Sequence, residues 1–168
     1  MQWSLVGSEM CIRDRRASPY SRPPDIEMGG GGLVGTVGDY LRFAQMLANK
    51  GELGGKRILG RKTVEFMTSD HLTPDLPDEP LTSLFGFLGG GRAWGVGFGI
   101  TGSVVTNSAT SGIPASIGTY SWGGAATTHF WVDHTEELVG MVHTQLVPDG
   151  TYPLRELMQI LTYQAIVD

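Results

Sequence analysis

The chain has 168 residues, with 12 Lys and Arg against 17 Asp and Glu and a formal net charge of −5. That balance argues against a nucleic-acid partner, whose footprint is basic, and no apolar run approaches the ~20 residues that a membrane-crossing helix needs. The length allows one modest hydrophobic core, and the lone cysteine, Cys11, has no disulfide partner in the chain.

The first residues do not read as part of a fold. Leu5-Val6-Gly7-Ser8-Glu9-Met10-Cys11-Ile12-Arg13-Asp14-Arg15 matches the translation of a transposon-end sequencing adapter. It lacks the apolar stretch of about 7–15 residues that a signal peptide carries. Residues 1–15 are therefore expected to be adapter-derived, with Leu5 to Arg15 packing on nothing, and residues 16–168 to form the protein proper. That remainder is cysteine-free, so it carries no thiol chemistry, and nothing in it fixes a cellular compartment.

Pro19, Pro23 and Pro24 disfavour helix from Arg16 to Met28. Thr36 is a candidate N-cap with Asp39 as its capping-box partner, and Val37, Tyr40, Leu41, Ala44 and Leu47 fall on one helical face that Gly51 terminates. Leu53 to Leu59 predicts a hairpin over Gly54-Gly55, and Arg61 to Ser69 a short helix. His71 to Gly91, rich in Pro, Asp and Leu, predicts a loop. Trp94 to Thr101 alternates Gly95, Gly97 and Gly99 with Val96, Phe98 and Ile100, the period of a strand. Thr119 to Val132 and Leu138 to Leu146 predict two more strands around a turn at Asp133–Glu137. A last helix follows Pro153, with Leu154, Leu157, Met158, Leu161 and Ala165 as its buried stripe. The expected fold class is α/β (α+β): an antiparallel sheet flanked by helices.

Within this frame Tyr120-Ser121-Trp122-Gly123-Gly124-Ala125-Ala126 stands out. Paired glycines weaken a strand, and their usual justification is a close approach to the backbone. The visitor could be a substrate laid along the strand, a helix packed on it, or a bulge.

The blocks Gly29-Gly30-Gly31-Gly32-Leu33-Val34-Gly35-Thr36, Asp39 to Gln45, Gly51-Glu52-Leu53, Lys62 to Met67, Trp94 to Gly99 and Trp122-Gly123-Gly124 occur in one order. In that order the chain resembles the serine β-lactamase/penicillin-binding-protein superfamily, closest to its carboxylesterase branch (family VIII esterases). The resemblance implies a partial β-lactamase/transpeptidase-like fold and acyl-enzyme chemistry. It also implies that Trp122-Gly123-Gly124 is the motif of the oxyanion-hole strand, with the Ala125 backbone N–H as a donor to the oxyanion and Trp122 lining the site. Lys62-Thr63-Val64 mimics the Lys-Thr-Gly motif of lactamases but lies too early and lacks the Gly.

The family's Ser-x-x-Lys nucleophile and Tyr-x-Asn motifs do not occur in this sequence. Both lie upstream of the glycine block in family members, so the chain is expected to be the C-terminal part of such an enzyme, inactive alone. The resemblance implies a small-molecule ester as substrate and no cofactor. A β-lactamase or DD-peptidase fragment, or a non-catalytic binding module, are the alternatives. Trp122 in place of Lys and Thr favours neutral esters, because those two residues hold a substrate carboxylate.

Other chemistry is weaker. His71, His129, His134 and His143 do not predict a metal site, since pairing Asp133 with Leu138 would turn His129 and His143 to opposite faces while ligands must converge. Ser121 lacks a nucleophile elbow and a nearby base. Asp133, Glu136 and Glu137 read as a solvated turn.

Overall fold

The structure, a computed structural model, describes residues 35–72 and 94–167. The adapter-like segment, the Pro-rich stretch and most of the His71–Gly91 loop lie outside the described residues.

Helix α1 (Val37–Ala48) begins directly after Thr36 and carries Asp39 in its first turn, where the positive end of the helix dipole favours a carboxylate. Its last turn closes as a Schellman motif, with Lys50 N–H on Leu47 O and Gly51 N–H on Met46 O. The left-handed residue is Lys50 (φ 53°), one place before the expected Gly51. Gly51 itself has a positive φ (95°), and a side chain there would also collide with the Leu59 carbonyl. Strands β1 (Glu52–Leu53) and β2 (Lys56–Arg57) form the predicted hairpin. Gly54 and Gly55 both take positive φ, as a two-residue type I′ turn requires. Helix α2 (Arg61–Met67) follows.

Five antiparallel strands make the main sheet, each paired with its neighbour in sequence. They are β3 (Val96–Phe98), β4 (Ser103–Val105), β5 (Tyr120–Gly124), β6 (Thr128–Asp133) and β7 (Leu138–Val142). The run from Thr119 to Val132, expected as one strand, is two strands joined by a turn at residues 125–127. The sequence reading missed this turn because Ala-Ala-Thr-Thr carries no Gly, Pro, Asn or Asp. Thr127 supplies the positive φ (57°) instead. The strand expected to reach Leu146 stops at Val142, and a one-turn helix α3 (Ser108–Ser111), capped by Asn107, joins β4 to β5.

Successive residues of a strand face opposite ways, and that alternation builds two cores. Tyr120, Phe130 and Val132 pack with Ala44, Met46 and Leu47 of α1. Trp131 and Val105 pack on the other face with Tyr163 of α4 (Leu154–Gln164). Both helix faces differ from the expectation. On α1, Val37, Tyr40 and Leu41 remain exposed while Met46 is buried, and on α4, Leu157, Met158, Leu161 and Ala165 are exposed while Gln159 and Tyr163 are buried. Periodicity finds the apolar stripe of a helix but not which edge of it meets the sheet. On α4 the polar anchor decides: the Tyr163 hydroxyl donates to Asp133 Oδ2 at 2.8 Å.

Asp133 is thereby a correction to the solvated-turn reading. It is 1% exposed. It accepts hydrogen bonds from the Ser116 N–H, the Thr119 hydroxyl and the Thr135 and Glu136 N–H groups as well as Tyr163. Burial pushes its pKa up, but the bonds from Tyr163, Glu136 and Ser116 outweigh that and hold it below the usual value. Glu136 and Glu137 are exposed, as expected.

Candidate active site

The Trp122-Gly123-Gly124 motif occupies the second half of β5. β6 pairs with the whole strand from Tyr120 to Gly124, whereas β4 pairs only with Tyr120 and Ser121. Beyond Ser121 the β4-side edge of the strand has no strand partner among the described residues. The direction of its backbone groups follows from the paired half. Thr119 O accepts from the Val105 N–H at 3.0 Å and Ser121 O from Ser103 Oγ at 3.0 Å, so odd-numbered residues present their polar groups toward β4. Strand alternation turns those of Gly123 the same way, past the end of β4.

Trp122 is half-buried and meets Phe98 edge to face, ring centroids 5.3 Å apart. Trp94 is 61% exposed, whereas Tyr120 is 2% exposed and belongs to the core. Its hydroxyl donates to Ile100 O at 2.9 Å, and its ring fills the space a side chain at Gly102 would take.

Ala125 lies in the turn directly after β5 and is exposed. The turn is held from several sides. Gly124 O accepts from the Thr127 N–H at 3.0 Å and from Arg155 Nη2 at 2.7 Å. Ala126 O accepts from Thr144 Oγ1 at 2.6 Å, and Thr127 Oγ1 donates to Leu146 O at 2.8 Å. The segment 144–155, outside every sequence motif, therefore fixes the turn that follows the glycines.

Arg155 also explains one glycine. A Cβ at Gly123 would lie 2.6 Å from the guanidinium carbon, so the close visitor on that face is an arginine of α4. A Cβ at Gly124 would meet Thr128 Oγ1 at 2.6 Å. Arg155 pairs with Asp149 at 2.8 Å, with side chains only 14% and 10% exposed. Sequence reasoning missed Arg155 because a single arginine in the first turn of an amphipathic helix carries no distinguishing pattern.

His129 pairs across the sheet with Val142, as the predicted register requires. Its ring stacks on Trp131. Burial first, then the Arg155 charge, lower its pKa to about 4, with the Trp122 backbone acting weakly the other way. Both ring nitrogens, Trp131 Nε1 and Arg155 Nε are buried with no hydrogen-bond partner among the described residues. His143 lies on the α1 face against Tyr40, His134 lies near Lys50 and the end of α1, and His71 bonds the Phe66 carbonyl at 2.6 Å. The four histidines do not converge. The Ser121 hydroxyl is engaged with that of Ser103 at 2.8 Å.

The comparisons with known proteins agree with this geometry. Protein Rv1367c of Mycobacterium tuberculosis (strain ATCC 25618 / H37Rv) is 37% identical over 139 residues, 81% of this chain and 33% of its own length. The chain thus spans about a third of that relative. Among solved structures, EstCE1, described as a hydrolase with promiscuous acyltransferase activity, is similar with a TM-score of 0.59 and 26% identity, over 79% of this chain and 30% of its own. Simvastatin synthase (LovD) from Aspergillus terreus shares the fold with a TM-score of 0.67 at 19% identity, over 90% of this chain and 39% of its own. The family model described as Beta-lactamase matches residues 7–164. With the sheet, the flanking helices and the motif order in agreement, the chain belongs to the beta-lactamase family.

Proposed function

We propose that this chain supplies the oxyanion-hole strand of a serine hydrolase acting on neutral carboxylic esters. The observation that carries the reading is the half-open strand: β5 loses its β4 partner at the glycine motif, and the following turn is anchored at Gly124, Ala126 and Thr127. A substrate acyl group fits that edge with its carbonyl oxygen toward the Ala125 N–H. The nucleophilic serine, supplied by a segment with Ser-x-x-Lys, attacks the ester carbonyl. The negative charge on oxygen is held by the Ala125 N–H and the serine's own N–H, and as the ester C–O bond breaks to form the acyl-enzyme the alcohol leaves with the proton given up by the serine hydroxyl. Water then releases the acid. Losing one such donor typically costs about 2.7–4 kcal/mol of transition-state stabilisation. Among the described residues Trp122 and Phe98 present an apolar wall, which supports esters over penicillins and peptides, and the likeness to EstCE1, a hydrolase with promiscuous acyltransferase activity, supports acyl-transfer chemistry.

The test compares the 168-residue chain with the same chain joined to a family upstream half bearing Ser-x-x-Lys and Tyr-x-Asn. The short chain should leave p-nitrophenyl acetate and butyrate at background, because one donor without a nucleophile opens no covalent route. The joined protein should turn both over with a burst of p-nitrophenol. Hydrolysis by the short chain, or a joined protein active only on β-lactams, would overturn the reading.

A further inference from the structure

We infer that Arg155 is the positioning residue for the Ala125 N–H: its guanidinium sets the plane of the Gly124–Ala125 peptide. The inference rests on the function proposed above. The peptide unit is planar, with its C=O and N–H pointing in opposite directions, so whatever fixes Gly124 O also aims the Ala125 N–H. Two donors fix that oxygen, the Thr127 N–H at 3.0 Å and Arg155 Nη2 at 2.7 Å. The Thr127 bond closes the turn. The Arg155 bond reaches across from α4, 31 residues away in sequence, and is charge-assisted, hence the stronger of the two.

The guanidinium is held for this task rather than left in solvent. Asp149 pairs with it at 2.8 Å, and the arginine side chain is 14% exposed. Arg57 and Arg61, by contrast, are 53% and 55% exposed in their pairs with Glu52 and Glu65. Gly123 provides the space, since a Cβ would sit 2.6 Å from the guanidinium carbon. A cation on a carbonyl oxygen also polarises the peptide, which strengthens the N–H at its other end as a donor. The glycine pair then divides its work: Gly123 admits Arg155 from the α4 side, and Gly124 carries the oxygen that Arg155 holds.

The first experiment needs no activity. In the 168-residue chain, Arg155→Met should move the Gly124 carbonyl 13C and Ala125 amide 15N resonances more than any others outside the Arg155 neighbourhood. Arg155→Lys, which keeps the charge and the Asp149 pair but loses the planar fork, should move them less, in the same direction, and it serves if the Met variant does not fold. Unmoved resonances in a folded variant would overturn the inference. The second experiment uses the joined, competent protein. Arg155→Met should lower kcat on p-nitrophenyl acetate by about tenfold to a hundredfold, the cost of a misaimed group. KM should stay within about twofold, as for an interaction made in the transition state, and free guanidinium at millimolar concentration should restore part of the rate. A lowered unfolding midpoint with kcat unchanged would make Arg155 an anchor of α4 alone and defeat the inference. If the resonances move but the unsubstituted joined protein hydrolyses no ester, peptide positioning by Arg155 stands and the esterase reading falls.

Discussion

The entry half of β5, Tyr120 and Ser121, is paired with β4 on one side and β6 on the other, and both residues are buried. The exit half, Trp122 to Gly124, keeps β6 but loses β4, and its side chains shrink to hydrogen after the tryptophan. One half is closed by backbone pairing and core packing. The other is kept in shape from behind, by Arg155, Thr144 and Leu146, and beyond Ser121 its β4-side edge meets no strand among the described residues. A strand can thus remain ordered where it is open, provided its polar groups are fixed by partners on the far side. Pre-fixed donors of this kind need not reorganise when charge develops near them.

The comparison makes separable predictions. On the closed side, Asp133→Ala should be the most damaging change. It strips partners from the Tyr163 hydroxyl and the Ser116 N–H at the approach to β5, while the Thr119 hydroxyl keeps Ser116 O at 2.7 Å. Each buried donor left unpaired costs about 1–3 kcal/mol, so urea unfolding should show a loss of about 2 kcal/mol or more. A loss under about 1 kcal/mol would mean that the network is hydrated and the closed half is not held by it.

On the open side, Gly124→Val in the joined protein should cut ester turnover about a hundredfold by displacing the carbonyl from the Ala125 N–H. Its stability cost should be about 1–3 kcal/mol, because even a Cβ there lies 2.6 Å from Thr128 Oγ1 and the neighbour must shift. Turnover at the unsubstituted level would return the glycine pair to the reading of a close-packed strand.

The smallest effect lies at His129, which pairs with Gly123 of the open half. Its pKa falls from the ordinary 6.5 to about 4 in the folded chain. The unfolded state therefore binds more protons between those values. The stability that this neutral imidazole contributes is full above pH 6.5 and is lost as pH falls toward 4. At 1.36 kcal/mol per unit, discounted because the side chain is not wholly enclosed, the loss is on the order of 2 kcal/mol. Asp133 acts in the same direction but at lower pH, below the ordinary carboxylate value. His129→Phe should flatten the unfolding midpoint between pH 6.5 and 4 and leave the steeper acid limb. An unchanged profile would show that His129 is solvated.

The sequence by itself determined the elements whose signals are local. A type I′ turn needs positive φ, so Gly54-Gly55 announced its hairpin, and the pairing of Asp133 with Leu138 followed from the spacing of the turn, carrying His129 opposite Val142. The order of motifs, ending in Trp122-Gly123-Gly124, was enough for the family. Tertiary structure alone decided what depends on residues far apart in the chain. The same acidic cluster yielded exposed Glu136 and Glu137 but a buried Asp133, because only Asp133 meets Tyr163, 30 residues on. The glycine pair was legible as a place of close approach, yet the identity of the visitor was not. Arg155 reaches Gly123 only once α4 has packed on the sheet and Asp149 has paired with the guanidinium, and neither event leaves a periodic trace in the sequence.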